Sequence, residues 1–158
     1  MPITEPCMEK AKNIFGIDWQ KKYEEGCRGI ILDIDNTLVP HDAAADTRAG
    51  AFLDNLKRMG YRLFIVSNNH EPRTKSFADS VNVPFICEAL KPKPQGLLEA
   101  ARRMGLSKDQ VVAVGDQIFT DAWGAKNAGI PFILTDPLDP ESDTAFIKFK
   151  RILELPFR

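Results

Sequence analysis

The chain has 158 residues, of which 44% are hydrophobic and 27% are charged, as is typical of one globular domain with its own core. Its formal net charge of −1 gives no indication of a nucleic-acid partner, and its apolar runs are too short to span a bilayer. The first residues lack the layout of a signal peptide, and Cys7, Cys27 and Cys87 show neither disulfide nor metal-ligand spacing. We therefore expect a single cytoplasmic domain comprising residues 1–158.

Strand and helix patterns alternate along most of the chain. After an N-terminal helical segment within residues 1–27, short apolar runs predict strands at 28–34, 61–66, 83–86, 111–114 and 130–134. Helical patterns separate these runs, at 46–59, at 72–81, after Pro94 as far as 104, and at 121–128. Such alternation predicts an α/β fold with a doubly wound, Rossmann-like parallel sheet.

Polar side chains of types that catalyse reactions or bind ligands follow several of the predicted strands. Asp33 and Asp35 close the apolar run at 28–34, where burying two acids without partners would be costly. Ser67, Lys91 and Asp116 each come after a later strand. Open α/β sheets bind their ligands at the carboxyl ends of the strands, so this pattern indicates a functional site there.

The order of these residues resembles the four motifs of the haloacid dehalogenase superfamily of phosphatases. The matching positions are the DxDxT residues Asp33, Asp35 and Thr37, then Ser67, then Lys91, and finally Gly115-Asp116 with Asp121. The resemblance covers roughly residues 29–134, and four motifs in order are far more specific than any one of them. The sequences Ser67-Asn68-Asn69 and Lys-Pro-x-Pro from Lys91 also look like the YqeG-type branch, which is similar to phosphatidylglycerophosphate phosphatases.

The resemblance implies a role in phosphate-ester hydrolysis for each motif. Asp33 is implied as the nucleophile, which forms an aspartyl-phosphate, and Asp35 as the general acid and base. Ser67 and the backbone N–H of Asn68 are implied to bind the phosphate, while Lys91 supplies a fixed positive charge. The expected activity is therefore that of a phosphomonoester hydrolase.

The same resemblance implies Mg²⁺ as cofactor, since several carboxylates and a phosphate cannot share a small site without a cation. Its implied ligands are Asp33, the backbone carbonyl of Asp35, and Asp116. Two roles stay open for Asp121, which either binds the metal through a water molecule or orients Lys91.

Three other polar residues receive no catalytic role. Thr37 is expected to hold the turn after the first strand. His41 and His70 are isolated in the sequence and indicate no zinc site. We assign His70 to the surface in preference to a substrate contact.

Spacing predicts that no cap domain is inserted. Only one helix and one strand fit between Thr37 and Ser67, and the same holds between Ser67 and Lys91. An open site of this kind suits a large or membrane-held phosphomonoester, such as the phosphatidylglycerophosphate that the resemblance implies.

Two alternative functions use the same fold. One is a receiver-type signalling domain that accepts a phosphoryl group on an aspartate, and the other is a non-catalytic interaction protein. The second acid at i+2, Asp35, favours a phosphatase over a receiver, and the complete set of motifs argues against a non-catalytic protein.

Residues 143–158 predict an amphipathic C-terminal helix. Its apolar side contains Ala145, Phe146, Phe149, Ile152 and Leu153, and four basic residues accompany a single glutamate between 144 and 158. Two interpretations remain open. We favour a helix that covers one face of the sheet, and the alternative is peripheral contact with an anionic membrane.

Overall fold

Six parallel strands form a single sheet in the computed structural model, which describes residues 7–158. In chain order the strands are β1 (Met8–Ala11), β2 (Gly29–Leu32), β3 (Arg62–Val66), β4 (Phe85–Ile86), β5 (Val111–Gly115) and β6 (Phe132–Thr135). In space their order is β1-β6-β5-β2-β3-β4, and every pair is parallel. The predicted doubly wound α/β sheet is thus confirmed, with β2 near its middle.

Helices cover both faces of the sheet. In chain order the helices of the chain are α1 (Trp19–Glu24), α2 (Thr47–Met59), α3 (Glu71–Val81), α4 (Gln95–Met104), α5 (Trp123–Ala128) and α6 (Ala145–Glu154), the last of which lies beside the site described below. Successive strand side chains point to opposite faces, so Ile30 joins a core cluster with Leu53 of α2, whereas Ile31 joins one with Leu97 of α4. These two apolar layers hold the strand ends in fixed relative positions.

The helix α2 shows how local sequence sets the element bounds. Asp46 precedes it, and its carboxylate accepts a hydrogen bond of 2.8 Å from the backbone N–H of Ala49. Gly60 ends it in the left-handed conformation, with φ at 105°, which glycine adopts without steric cost. Both signals were visible in the sequence, and the predicted helix at 46–59 agrees with the observed one.

The N-terminal segment differs from its predicted helical structure. Met8–Ala11 is the edge strand β1, paired with β6, and helix is confined to Trp19–Glu24 and a short 3-10 turn at Ile14–Gly16. Residues 8–11 are good helix formers, but backbone pairing with β6 overrides that local preference. Residues 1–6, which the same prediction included, lie outside the described part of the chain.

The predicted absence of a cap insertion agrees with the described chain. Within residues 7–158, α2 is the helix that connects β2 to β3, and α3 with β4 leads from β3 towards α4. No helix in this part of the chain is long and apolar enough to cross a membrane.

The favoured interpretation of the C-terminal helix is wrong. α6 does not cover the sheet with its apolar side, because Phe146, Phe149 and Ile152 are all more than half exposed. Its partly buried and buried positions are instead occupied by Ile147, Lys150, Arg151 and Glu154, three of which are charged. The reason for this orientation lies in the site described below.

Replacing Leu53 by alanine tests the packing of α2 on β2. The side chain is fully buried, so Leu53→Ala is expected to lower the free energy of unfolding by about 2–5 kcal/mol, through lost burial and the cavity left behind. Urea denaturation measures this change. Asn55→Ala, at an exposed position of the same helix, is the control and should alter stability by less than about 0.5 kcal/mol.

Candidate active site

The site lies at the carboxyl edge of three neighbouring strands. Asp33 follows β2, Ser67 follows β3 and Asp116 follows β5, so the parallel register brings their side chains to one edge of the sheet. A cavity of about 180 Å³ opens there. Six of the eight residues predicted from the sequence line it, namely Asp33, Asp35, Ser67, Asn68, Lys91 and Asp121.

Lys91 lies between two of the carboxylates. Its ammonium donates to the carboxylate of Asp121 at 2.7 Å, to that of Asp33 at 3.4 Å, and to the carbonyl of Val66 at 2.9 Å. Burial by itself would lower the pKa of Lys91, but the charges of Asp121 and Asp33 outweigh burial and raise it. Lys91 is therefore a fixed cation beside Asp33.

The loops around Lys91 are fixed by side-chain to backbone contacts. Asn68 donates its amide to the Lys91 carbonyl at 3.1 Å and accepts from the Lys91 N–H at 2.8 Å. Asp121 accepts from the backbone N–H of Gln117 at 3.1 Å. A Cβ at Gly115 would lie only 2.5 Å from the Asp121 carboxyl carbon, which explains why a glycine precedes Asp116. These contacts leave the ends of Lys91 and Asp121 little freedom.

Three carboxylates form a cluster that could hold a metal ion. Oxygen atoms of Asp33, Asp116 and Asp121 all lie within 4.8 Å of one another. Thr37, which was expected only to hold a turn, donates its hydroxyl to Asp116 at 3.1 Å. The Asp35 carboxylate is not part of this cluster, because it accepts hydrogen bonds from Asn69 and Arg73 instead. The oxygen-only donor set fits Mg²⁺, which prefers carboxylates and retains water ligands.

Burial, together with crowding of like charges, raises the pKa values of two carboxyl groups in this cluster. Burial, with the neighbouring Asp121 charge, raises the pKa of Asp116 to about 6, even though Arg151 opposes the shift. Burial also raises the pKa of Asp33 well above its ordinary value, with further contributions from Asp121 and against the effect of Lys91. A cation bound among these oxygens would relieve the same repulsion and release the protons.

Asp35 occupies a different environment from Asp33. It accepts hydrogen bonds from the amide of Asn69 at 2.5 Å, from the backbone N–H of Asp42 at 2.7 Å and from the guanidinium of Arg73 at 2.9 Å. Burial raises its pKa, but these hydrogen bonds outweigh burial and lower it. The contacts hold the carboxylate at one edge of the cavity.

Sequence reasoning did not identify Arg73 and Asn69 as partners of Asp35. Asn69 belongs to the stretch Ser67-Asn68-Asn69, so its nearness to the site could have been inferred from that motif. No sequence signal marks Arg73, which lies in the first turn of α3 and meets Asp35 only in the folded chain.

Arg151 of α6 is the other residue that sequence reasoning missed. Its guanidinium donates to the Asp116 carboxylate and, at 2.6 Å, to Asp143, which in turn accepts from Asn36 at 2.5 Å. In the sequence Arg151 is one of several charges on an amphipathic helix. Only the fold shows that it compensates the charge of Asp116.

The two histidines lie in different surroundings. The His70 side chain is 89% exposed and contacts Glu88 at 3.2 Å, in agreement with a surface position. His41 lines the cavity together with Phe146 and Lys150 of α6. No local pattern predicts that placement, because residues 41 and 146 meet only in the fold.

Comparisons with known proteins agree with this fold and site. Residues 41–129 match the family model described as haloacid dehalogenase-like hydrolase. Over 147 residues the chain is 40% identical to the probable phosphatase YqeG of Bacillus subtilis, covering 92% of this chain and 85% of that protein. It is also 25% identical to the chloroplastic/mitochondrial phosphatidylglycerophosphate phosphatase 1 of Arabidopsis thaliana, covering 91% of this chain but 44% of that protein.

The chain belongs to the haloacid dehalogenase-like hydrolases. Within that family it is a phosphatase, as predicted, and it is similar to YqeG. A solved structure, the cobalt-bound deoxy-D-mannose-octulosonate 8-phosphate phosphatase of Haemophilus influenzae, superimposes with a TM-score of 0.55 over 83% of this chain and 89% of that one. At 13% identity this likeness supports the fold alone. Family membership decides against the receiver and the non-catalytic alternatives.

Removing the guanidinium beside Asp35 tests its positioning role. Arg73→Ala is expected to lower turnover roughly 10- to 100-fold, because a displaced Asp35 transfers its proton less efficiently. The loss should be larger for alkyl than for aryl phosphates, since poor leaving groups need the proton most. Steady-state kinetics on both substrate types measure it, with the exposed Lys75→Ala of α3 as control. Equal losses on both substrates would mean that Arg73 only supports the fold.

Neutralising Asp33 is expected to stabilise the protein in the absence of divalent metal. Between about pH 4 and the raised pKa of folded Asp33, the folded state holds a proton that the unfolded state has lost, so this residue lowers stability as the pH rises. The advantage of Asp33→Asn over the wild type should therefore grow as the pH rises from about 5 towards the raised pKa of Asp33.

Thermal unfolding with a chelator present measures that advantage. The exposed Asp54→Asn serves as the charge-matched control and should show no such trend. A difference between Asp33→Asn and wild type that stays constant with pH would contradict the raised pKa.

Proposed function

We propose that this phosphatase is a cytoplasmic, Mg²⁺-dependent phosphomonoester hydrolase that acts through an aspartyl-phosphate on Asp33. The observation that carries the proposal is the position of the Lys91 ammonium, 3.4 Å from Asp33 and 2.7 Å from Asp121, beside a cluster of three carboxylates. A buried cation next to one aspartate favours the approach of a phosphate to that carboxylate, which would otherwise repel it.

The residues of the cavity support a two-step reaction. A carboxylate oxygen of Asp33 attacks phosphorus and the bond to the ester oxygen breaks, while Asp35, which must be protonated for this step, gives its proton to the leaving alkoxide. In the second step Asp35 takes a proton from water, which attacks the phosphorus of the aspartyl-phosphate and releases inorganic phosphate with free Asp33. Ser67, the backbone N–H of Asn68, and Lys91 hold the phosphoryl oxygens throughout.

The metal site is proposed on Asp33, the backbone carbonyl of Asp35, and Asp116. Mg²⁺ bound there supplies positive charge that offsets the charge of the phosphoryl group. Thr37 positions Asp116 through its hydroxyl, and Asp121 orients Lys91 through their 2.7 Å contact.

The size of the cavity supports a large substrate whose remainder lies outside it. About 180 Å³ accommodates a phosphoryl group and little more, whereas pockets that enclose a whole small ligand measure roughly 300–1,000 Å³. We propose phosphatidylglycerophosphate as the substrate, which the similarity to the Arabidopsis enzyme supports. A large soluble phosphomonoester is the second candidate, because the cavity limits only the part of the substrate that enters it.

Hydrolysis of a generic aryl phosphate, with and without metal, tests the reaction. Activity should vanish with a chelator, return with Mg²⁺ and be inhibited by Ca²⁺, whose larger and looser ligand shell misplaces the nucleophile. Asp33→Asn should abolish turnover, because an amide cannot attack phosphorus. Asp35→Asn should slow alkyl phosphates more than aryl phosphates.

Three results would overturn parts of the proposal. Activity that survives exhaustive chelation would rule out a required metal ion. Near-wild-type turnover by Asp33→Asn would rule out Asp33 as the nucleophile. A panel of phosphatidylglycerophosphate, phosphosugars and nucleotides then assigns the substrate. Preference for a phosphosugar or nucleotide would reject the lipid.

A further inference from the structure

The C-terminal segment carries most of the exposed large hydrophobic side chains of the described chain. Nine large hydrophobic side chains are exposed within residues 7–158, and six of them lie between 146 and 157. Four form one side of α6, which we call the α6 apolar face: Phe146, Phe149, Ile152 and Leu153, with exposed fractions of 69%, 56%, 63% and 48%. A contiguous apolar patch of this kind marks an interaction surface more often than scattered single residues do.

Polar contacts fix α6 in this orientation. Arg151 is bound to Asp116 and Asp143, and the fully buried Glu154 accepts a hydrogen bond of 3.0 Å from the backbone N–H of Phe119. Turning the apolar face inward would break these contacts, and no apolar side chain of α6 could replace them. The outward direction of the apolar face is therefore a built feature of the fold.

Lysines border the α6 apolar face on both sides. At 3.6 residues per turn, Lys148 lies next to Ile152 around the helix axis, and Lys150 lies next to Phe146. The ammonium of Lys150 lies 5.6 Å from the Phe146 ring centre, and that of Lys148, a side chain 46% exposed, lies 3.6 Å from the carboxylate of the exposed Glu141. An apolar stripe between two lysines is typical of a helix that lies in a membrane interface, where long basic side chains reach the anionic headgroups.

Charge argues against a second copy of this chain as the occupant. Of the four basic residues between 144 and 158, Arg151 and Arg158 are paired with carboxylates of the protein, so Lys148 and Lys150 carry the positive charge beside the α6 apolar face. A two-fold interface across the α6 apolar face would bring the lysine borders of both copies together, whereas an anionic surface complements them.

The α6 apolar face continues to the mouth of the active-site cavity. Phe146, Ile147 and Lys150 of α6 line that cavity, so the helix forms part of its rim. A phosphomonoester with its apolar portion in a bilayer would carry its phosphate at the height of the headgroups, beside this rim.

We propose that the α6 apolar face docks on an anionic lipid bilayer and places the cavity over phosphomonoesters held in that surface. The docking itself is independent of the reaction, and the statement about the substrate rests on the proposed function. The docking proposal assigns a membrane-contact role to Phe149, Ile152 and Leu153, none of which is a proposed catalytic residue.

Sedimentation with vesicles tests the proposal. The full chain is expected to bind vesicles of phosphatidylcholine mixed with phosphatidylglycerol at low salt, more weakly at high salt, and not vesicles of phosphatidylcholine alone. The double variant Phe149→Glu, Leu153→Glu should reduce the bound-to-free ratio at least about tenfold, because it places charge in the apolar contact. Lys148→Glu should weaken binding by a smaller factor that high salt abolishes.

A matched control separates docking from added charge. Ala51→Glu with Asn55→Glu places two glutamates at the same i, i+4 spacing on the exposed side of α2, and it should bind vesicles like the wild type. All variants should hydrolyse a soluble aryl phosphate at the wild-type rate, which also shows that they are folded.

Vesicle binding and aryl phosphate hydrolysis distinguish failure of this inference from failure of the proposed function. No vesicle binding by an active wild type, or equal binding by the α6 double variant, would overturn the docking surface. A wild-type dimer that the same variant dissociates, without vesicle binding, would assign the surface to a second copy. Vesicle binding without any hydrolysis would leave the docking surface standing and reject the proposed function.

Discussion

Carboxylate oxygens of Asp33, Asp116 and Asp121 lie within 4.8 Å of one another at the edge of the sheet, and burial removes most of the water that would screen them. The structure compensates this repulsion with cations from distant segments. Lys91 comes from the loop before α4 and Arg151 from the C-terminal helix. Because an unpaired buried charge is costly, these pairs tie both segments to the carboxyl end of the sheet.

Compensation of the charge on Asp116 also decides how α6 packs. Amphipathic helices usually bury their apolar side, but here the polar side faces the protein, because Arg151 and Glu154 have partners there. The apolar side is consequently left at the surface, next to the cavity. The electrostatics of the site and its exposed apolar rim therefore have one common cause.

Asp33 and Asp35 show how two neighbouring acids acquire different properties. Asp33 lies beside Lys91 within the carboxylate cluster, and its pKa is raised by burial and by Asp121. Asp35 lies beside Arg73 and Asn69, and their hydrogen bonds lower its pKa against the effect of burial. Without a bound cation these shifts are the reverse of what the proposed roles require, because a nucleophile must be ionised and a general acid must carry a proton. A cation held by Asp33 and Asp116 would favour the ionised form of Asp33.

The sequence by itself determined the α/β class, the parallel sheet and the catalytic motifs, because strand periodicity, caps such as Asp46 and the order of the motif residues are local signals. The tertiary structure alone decided that Met8–Ala11 is a strand, since only β6 supplies its backbone partners. The tertiary structure alone also decided that Arg73 reaches Asp35 and that Arg151 reaches Asp116. The outward direction of the apolar side of α6 was decided in the same way. Such contacts join residues far apart in the chain, and their energies depend on burial and distance, which no local pattern encodes.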